Sequence, residues 1–98
     1  MTTNSQIIAE ITEFVRNNGG KYSDWYAGIA ADVKNRLFNN HGVDEKNGNW
    51  IYNTAESSDA ARQIEDYFIA QGMDRGPGGG DNSTTKVYAY KKTASTKE

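Results

Sequence analysis

Residues 24–42 read DWYAGIAADVKNRLFNNHG, and this stretch sets the expected architecture of the chain. Its first part, which ends at Ala30, is short, apolar and aromatic, as is typical of a buried strand. The side chain of Asp32 is suited to cap a helix that ends near Gly42. The apolar residues of that helix are expected to face inward: Val33, Leu37 and Phe38. The stretch therefore predicts a strand that leads directly into a helix.

The residues before this stretch predict a first helix over residues 3–20, TNSQIIAEITEFVRNNGG. Its apolar residues recur at the spacing of one helical face: Ile7, Ile8, Ile11, Phe14 and Val15. Thr3 and Gln6 have the spacing of a capping box at the N-terminus of a helix. Gly19 and Gly20 are expected to end the helix, because glycine readily adopts the left-handed conformation found there.

A second strand and a third helix are predicted after the opening stretch. Residues 49–54, NWIYNT, are rich in aromatic and β-branched side chains and favour a strand. Residues 56–72, ESSDAARQIEDYFIAQG, predict a helix that begins after Ser57 or Ser58 and ends at Gly72.

The chain then continues through a glycine-rich loop into a last strand. The loop is MDRGPGGGDNSTT, residues 73–85, and the strand is KVYAYKK, residues 86–92. The order α-β-α-β-α-β predicts an α+β fold with a small, mostly antiparallel sheet of three strands flanked by three helices. We expect one domain with three parts: a helix over 1–20, a core over 22–92 and a frayed tail over 93–98.

Composition limits the classes of function. The 98 residues are 36% hydrophobic, which is enough for one modest core, and a small core leaves a homo-oligomer as an alternative. The formal charge of −2 lacks the basic surface of a protein that binds nucleic acid strongly without regard to sequence. A nucleic-acid ligand would therefore depend on local contacts or on a targeting partner protein. With no cysteine, no signal-like N-terminal segment and no apolar run of membrane length, we expect a cytoplasmic protein that does not enter membranes.

Three polar side chains occupy positions that point to phosphate chemistry. Arg36 borders the apolar stripe of its helix, Glu65 has apolar neighbours on the third helix, and Tyr26 lies near the end of the first strand. A guanidinium presents a planar fork to phosphate oxygens. One carboxylate can hold a divalent ion that keeps several waters, and a tyrosine hydroxyl can orient or deprotonate an attacking water. These residue types suit metal-assisted hydrolysis of a phosphodiester.

Each of these residues also has a structural interpretation. A strand tyrosine such as Tyr26 usually packs its ring and leads its hydroxyl to the surface. Arg36 can cover the core with its aliphatic stem. Glu65 can pair with Arg62, three residues earlier on the same helix.

Taken in order, these residues resemble the signature of the GIY-YIG nuclease superfamily. YAGIAADVKNRL is similar to the second half of that signature, in which Tyr-x-Gly ends a strand and an arginine lies ten positions after the tyrosine, as Arg36 does after Tyr26. The helix DAARQIEDYFI is similar to the Ala-x-x-x-Glu-x-x-x-Ile helix of the family and places Glu65 on its metal-binding glutamate. The resemblance covers about residues 24–72. It implies a small sheet flanked by helices and hydrolysis of nucleic acid with one Mg²⁺ or Mn²⁺.

The chain departs from the family pattern at the first strand, which should carry Gly-Ile-Tyr and precede Tyr26. The first helix occupies that place, so we expect residues 86–92 to fill the vacant position in a rearranged strand order. Tyr88 or Tyr90 would then supply the missing tyrosine. The resemblance thus assigns four catalytic residues: Tyr26, Arg36, Glu65 and Tyr88.

The resemblance also assigns Gly28 and His41 to substrate binding. His41 follows Arg36 by five residues, one more than in many relatives. A single histidine at the C-terminus of a helix can instead interact with the helix dipole.

Two functions from different classes fit the sequence. The first is a minimal metal-dependent nuclease, with Arg36 on phosphate, Glu65 on the metal and Tyr26 near the water. The second is a non-catalytic module that binds a nucleotide, nucleic acid or protein on the same frame. The net negative charge of the chain favours the binding module. The set of tyrosine, arginine and glutamate favours the nuclease.

Overall fold

The computed structural model describes residues 3–19, 21–43, 46, 48–74, 84–93 and 96. The elements follow one another in this order: α1 (Asn4–Asn17), a 3₁₀ turn (Tyr22–Asp24), β1 (Trp25–Ala30), a π-helix (Asn35–Asn40), β2 (Trp50–Thr54), α2 (Ser58–Gln71) and β3 (Lys86–Lys91). The predicted α+β class, with three helices and a three-stranded antiparallel sheet, is confirmed. Most of the predicted glycine-rich loop, residues 75–83, lies outside the described residues, as do residues 94, 95, 97 and 98 of the predicted tail.

The strand from the end of the chain lies in the middle of the sheet. The strand order is β1-β3-β2, and β3 is antiparallel to both neighbours. Tyr88 lies opposite Gly28 on one side and Tyr52 on the other, while Tyr90 lies opposite Tyr26. The prediction that the last strand pairs beside the first strand is therefore confirmed.

Side chains alternate across the strands and give the sheet two different faces. The helix-covered face carries apolar residues of β1 and β3: Trp25, Ala27, Ile29, Val87 and Ala89. The tyrosine face carries the alternate residues of all three strands: Tyr26, Gly28, Ala30, Trp50, Tyr52, Lys86, Tyr88 and Tyr90. The register thus separates an apolar surface from an aromatic and polar one.

The two α-helices close the helix-covered face, α2 mainly against β1 and α1 against β2. The capping box of α1 is present: the Gln6 N–H donates to Thr3 Oγ1 (3.3 Å) and the Thr3 N–H donates to Gln6 Oε1 (3.1 Å). At the start of α2 the Ala60 N–H donates to Ser57 Oγ, so Ser57 is the N-cap. The helices bury their apolar faces completely at six positions: Ile7, Ile11, Val15, Ala61, Ile64 and Phe68. Both helical predictions are confirmed.

The predicted second α-helix is wrong in its type. Asp32 does cap this segment, because the Asn35 N–H donates to its Oδ1 at 3.2 Å. Over Asn35–Asn40, however, the turn is π-helical, and the His41 N–H donates to the carbonyl oxygen of Arg36 at 2.9 Å. Leu37 and His41, four residues apart, both lie in the layer that packs on the tyrosine face. Over a single turn α- and π-helices bury similarly spaced residues, so the sequence pattern did not distinguish them.

The outer edge of β1 is covered by the chain that follows α2. The Ala27 N–H donates to the Asp74 carbonyl and the Asp74 N–H donates to the Trp25 carbonyl, both at 3.0 Å. The Asp74 carboxylate also pairs with the ammonium of Lys92. These contacts remove part of an exposed strand edge, which otherwise favours association with other strands. Among the described helices none is long and apolar enough to cross a membrane.

Candidate functional site

Gly28 and Tyr88 form a cross-strand pair in which the tyrosine ring lies over the glycine. A Cβ atom on Gly28 would come within 2.5 Å of both Cζ and Oη of Tyr88. Any larger residue would therefore displace the ring, because real Cβ atoms do not approach other atoms so closely. Gly28 thus fixes the position of the Tyr88 hydroxyl, and its predicted role in substrate binding stays a prediction.

His41 connects the hydroxyls of two tyrosines. Its Nε2 lies 2.8 Å from Tyr88 Oη, and its Nδ1 lies 3.1 Å from Tyr90 Oη. The side chain is only 5% exposed. A neutral imidazole has one donor and one acceptor nitrogen, so one tyrosine donates to the ring and the other accepts from it. The arrangement is a continuous hydrogen-bonded chain from Tyr90 through His41 to Tyr88.

The ring of Tyr26 packs against the hydrogen-bonded residues Tyr90, His41 and Tyr88. Its ring stacks on Tyr90, with centroids 5.1 Å apart, and contacts the ring of His41 at 4.7 Å. It also stacks at a longer distance, 6.3 Å, on Tyr88. Because these rings pack against one another, their side chains have little conformational freedom. The packing therefore holds the hydroxyl groups in place.

The Tyr88 hydroxyl lies within electrostatic range of the other predicted catalytic residues. Burial is the main cause that raises the pKa of Tyr88 far above its ordinary value, and Tyr26 and Glu65 raise it further. Arg36 acts in the opposite direction, because a cation favours the phenolate. Tyr26, Arg36 and Glu65 thus each influence the pKa of the Tyr88 hydroxyl, and their predicted catalytic roles stay predictions.

Two charged side chains in this group differ in their surroundings. Arg36 is partly exposed on the π-helix, and within the described part of the chain no carboxylate pairs with its guanidinium. Glu65 is half-buried on α2, the helix that packs along β1. The site therefore combines a cation able to take an anionic ligand with a carboxylate anchored in a helix.

The sequence left Tyr88 and Tyr90 as alternatives for the missing tyrosine, and which of them serves stays a prediction. Both are buried and both bond to His41, and Arg36 and Glu65 influence the pKa of Tyr88. The role of Tyr90 as the second partner of His41 was missed, as was the position of Lys86 on the same face. The sequence could have predicted that Lys86 and Tyr90 lie on the same face as Tyr88, because residues 86, 88 and 90 of one strand must share a face.

A divalent metal ion would find few protein ligands here. No group of three or more His, Cys, Asp or Glu side chains converges among the described residues. Glu65 alone fits the way Mg²⁺ is often held, by one or two carboxylates together with waters and a substrate phosphate. The donor set thus fits Mg²⁺ or Mn²⁺ bound jointly with a phosphate, and it does not fit a closed structural metal site.

Comparison with known proteins gives no relative: no family model, no curated protein and no solved structure matches the chain.

Proposed function

We propose that this chain is a GIY-YIG-type nuclease that hydrolyses phosphodiester bonds of nucleic acid, with its tyrosine strand supplied by β3 from the end of the chain. The observation that carries the proposal is the Tyr88 hydroxyl, bonded to His41 and within electrostatic range of both Arg36 and Glu65. The pairing of β3 beside the Tyr-x-Gly strand supports the rearranged order. A cytoplasmic location is part of this proposal.

Tyr88 acts as the group that takes a proton from the attacking water. Its raised pKa means that the phenol is neutral at physiological pH, so a preformed phenolate is not the base. Instead Tyr88 passes its own proton to Nε2 of His41 while it accepts one from the water. This route uses the tautomer in which the His41 Nδ1–H donates to Tyr90 Oη and Nε2 accepts from the Tyr88 hydroxyl.

Arg36 and Glu65 serve the phosphate. The Arg36 guanidinium pairs with the non-bridging oxygens and stabilises the extra negative charge that develops as water attacks. Glu65 would hold one Mg²⁺ or Mn²⁺ against the same phosphate; such an ion lowers the pKa of bound water and neutralises charge on the leaving oxygen. The oxygen that leaves takes its proton from solvent.

The test is incubation of the protein with plasmid, single-stranded DNA and RNA in Mg²⁺, Mn²⁺ or EDTA. We expect cleavage with a metal and none in EDTA. Glu65→Gln should abolish cleavage, because the amide keeps the shape and loses the charge. Arg36→Ala should lower the rate by about 10²–10³, the usual effect of losing one preorganised contact to developing charge.

Matched controls come from α1, far along the chain from the site. Glu13→Gln and Arg16→Ala change exposed side chains of the same types and should leave the rate unchanged. Cleavage that survives both Glu65→Gln and Arg36→Ala would come from a contaminant or another site, and it would end the proposal.

A second candidate function is a binding module without catalysis. It is favoured by the net charge of −2 and because no group of three or more His, Cys, Asp or Glu side chains converges among the described residues. It predicts no cleavage with any metal. It also predicts that Glu65→Gln raises the affinity for an anionic ligand or leaves it unchanged, since the substitution removes repulsion. Such a module would reach its target through a homo-oligomer or a targeting partner.

A further inference from the structure

Two aromatic rings of the edge strand β2 extend the tyrosine face beyond the catalytic candidates. Trp50 lies opposite Tyr90 and Tyr52 lies opposite Tyr88 in the register. The rings of Trp50 and Tyr52 are nearly parallel, with an interplanar angle of 9° and centroids 6.3 Å apart. Phe38 packs its edge against Trp50 at 5.1 Å and 80°, which fixes the tryptophan ring from the π-helix side. The two rings therefore form an ordered, stacked pair on the edge strand β2, which we call the platform.

The platform is accessible to a ligand. Tyr52 is 36% exposed and Trp50 is partly exposed. One other large aromatic residue in the described part of the chain is comparably exposed, Tyr67 at 41%, and it lies on α2. Tyr52 thus presents an exposed aromatic ring on the tyrosine face, on the side of Tyr88 that is away from Gly28.

The cationic side chains near the platform are suited to the phosphates of a nucleic-acid strand. Lys86 lies two residues before Tyr88 on the same face, and Arg36 acts on the Tyr88 hydroxyl. Two cations near Tyr88 can hold one or two phosphates, but a chain with a net charge of −2 has little long-range attraction for a polyanion. Affinity must then come mainly from uncharged contacts, and base-on-aromatic stacking is the strongest of these in proteins that bind single strands.

We propose that Trp50 and Tyr52 form a base-stacking subsite for an unpaired nucleotide next to the scissile phosphate, so that the substrate class is single-stranded nucleic acid. The placement of the phosphate rests on the proposed function. The bases of a duplex are already stacked on each other and cannot occupy the platform without being extruded. Stacking does not depend on base identity, so the subsite accepts any sequence.

The experiment measures binding in EDTA, where cleavage does not contribute. The probe is a fluorescently labelled single-stranded DNA octamer of mixed sequence, compared with the duplex of that sequence and with an abasic sugar-phosphate chain of the same length. We expect the single strand to bind most tightly. Tyr52→Ala should weaken its binding by about 5- to 100-fold, the usual effect of losing one stacked base. Tyr52→Phe, which keeps the ring, should bind like the parent protein.

Tyr67→Ala is the matched control, because it removes an equally exposed tyrosine from α2. It should leave affinity unchanged. The intrinsic tryptophan fluorescence gives a second readout: Trp25 is fully buried, so quenching by the octamer reports stacking at Trp50. The abasic chain should bind equally weakly to the parent protein and to Tyr52→Ala, and it should not quench.

Any of the following results would overturn the subsite: an octamer affinity that Tyr52→Ala does not change, duplex binding at least as tight as single-strand binding, or an abasic chain that binds as well as the octamer. Absence of any binding by the octamer would overturn it as well. The proposed function fails separately: if the octamer binds in the Tyr52-dependent way but no metal supports its cleavage, the nuclease proposal is wrong and the stacking subsite stands.

Discussion

The two faces of the sheet use the same three strands for different purposes. On the helix-covered face all strand side chains of the core are apolar, and the indole N–H of Trp25 has no hydrogen-bond partner within the described part of the chain. On the tyrosine face the buried polar groups of His41, Tyr88 and Tyr90 bond to one another. An apolar face gains stability from burial alone, whereas buried hydroxyls and an imidazole are stable only when each has a partner.

Under the proposed function, alternate residues of a single strand would serve stability and chemistry separately. In β3, Val87 and Ala89 face the helices, while Tyr88 and Tyr90 face the site. Substitutions on the two faces should therefore have different consequences, one for the free energy of unfolding and the other for cleavage.

Ile64→Ala tests the helix-covered face. Ile64 is completely buried in α2, so its truncation should lower the free energy of unfolding by about 2–5 kcal/mol through lost burial and a residual cavity. The cleavage rate per folded molecule should stay unchanged. Denaturant unfolding and a rate normalised to the folded fraction measure the two quantities.

Ile69→Ala on the same helix is the control for Ile64→Ala, since Ile69 is only partly buried and should cost less stability. A rate per folded molecule that falls with Ile64→Ala would mean that the two faces are not independent.

Gly28→Ala tests the close contact on the tyrosine face. The new methyl group would meet Tyr88 at 2.5 Å, so the ring must move at a cost of about 1–3 kcal/mol in unfolding free energy. Because the hydroxyl then leaves His41, cleavage should be lost. A double-mutant cycle with Tyr88→Ala measures the coupling: in that background Gly28→Ala should cost little. Equal costs in both backgrounds would contradict the assigned contact.

The alkaline dependence of stability tests the burial of Tyr88. Its pKa is raised in the folded protein, so above the ordinary tyrosine pKa of about 10 the unfolded chain loses a proton that the folded chain keeps. Stability then falls as pH rises, by about 1.4 kcal/mol per pH unit from this one group. Below that range Tyr88 contributes no pH dependence.

The measurement is the free energy of unfolding of the parent protein and of Tyr88→Phe from about pH 9 to 11. The parent should lose stability more steeply than the variant. Parallel curves would show that Tyr88 ionises as easily in the folded protein as in the unfolded chain.

The sequence predicted those features that depend on neighbouring residues or on strand alternation. Thr3 and Gln6 identified the start of α1. Ser57 was one of the two residues predicted to cap α2. The aromatic strand after the glycine-rich loop was predicted to fill the first-strand position that the first helix leaves vacant, and its register with β1 agrees.

What the sequence did not predict depends on contacts between distant segments. His41 is buried four residues after Leu37, but a single histidine near the end of a helix carries no pattern that predicts burial. The bond between His41 and Tyr90 joins residues 49 positions apart, and no local pattern specifies it. The parts of the site that act together were therefore predicted one by one, while the hydrogen-bonded chain that links them was not.

The most direct test of the account is Tyr88→Phe, with cleavage and stability measured on the same sample. The substitution keeps the ring and removes the hydroxyl that joins His41 to the site. We predict a metal-dependent cleavage rate lowered by about 10²–10⁴, as expected for loss of a general base, and a free energy of unfolding lowered by only about 1–3 kcal/mol from the unpaired imidazole. A folded variant that cleaves single-stranded DNA at the parent rate would contradict the assignment of catalysis to the tyrosine face.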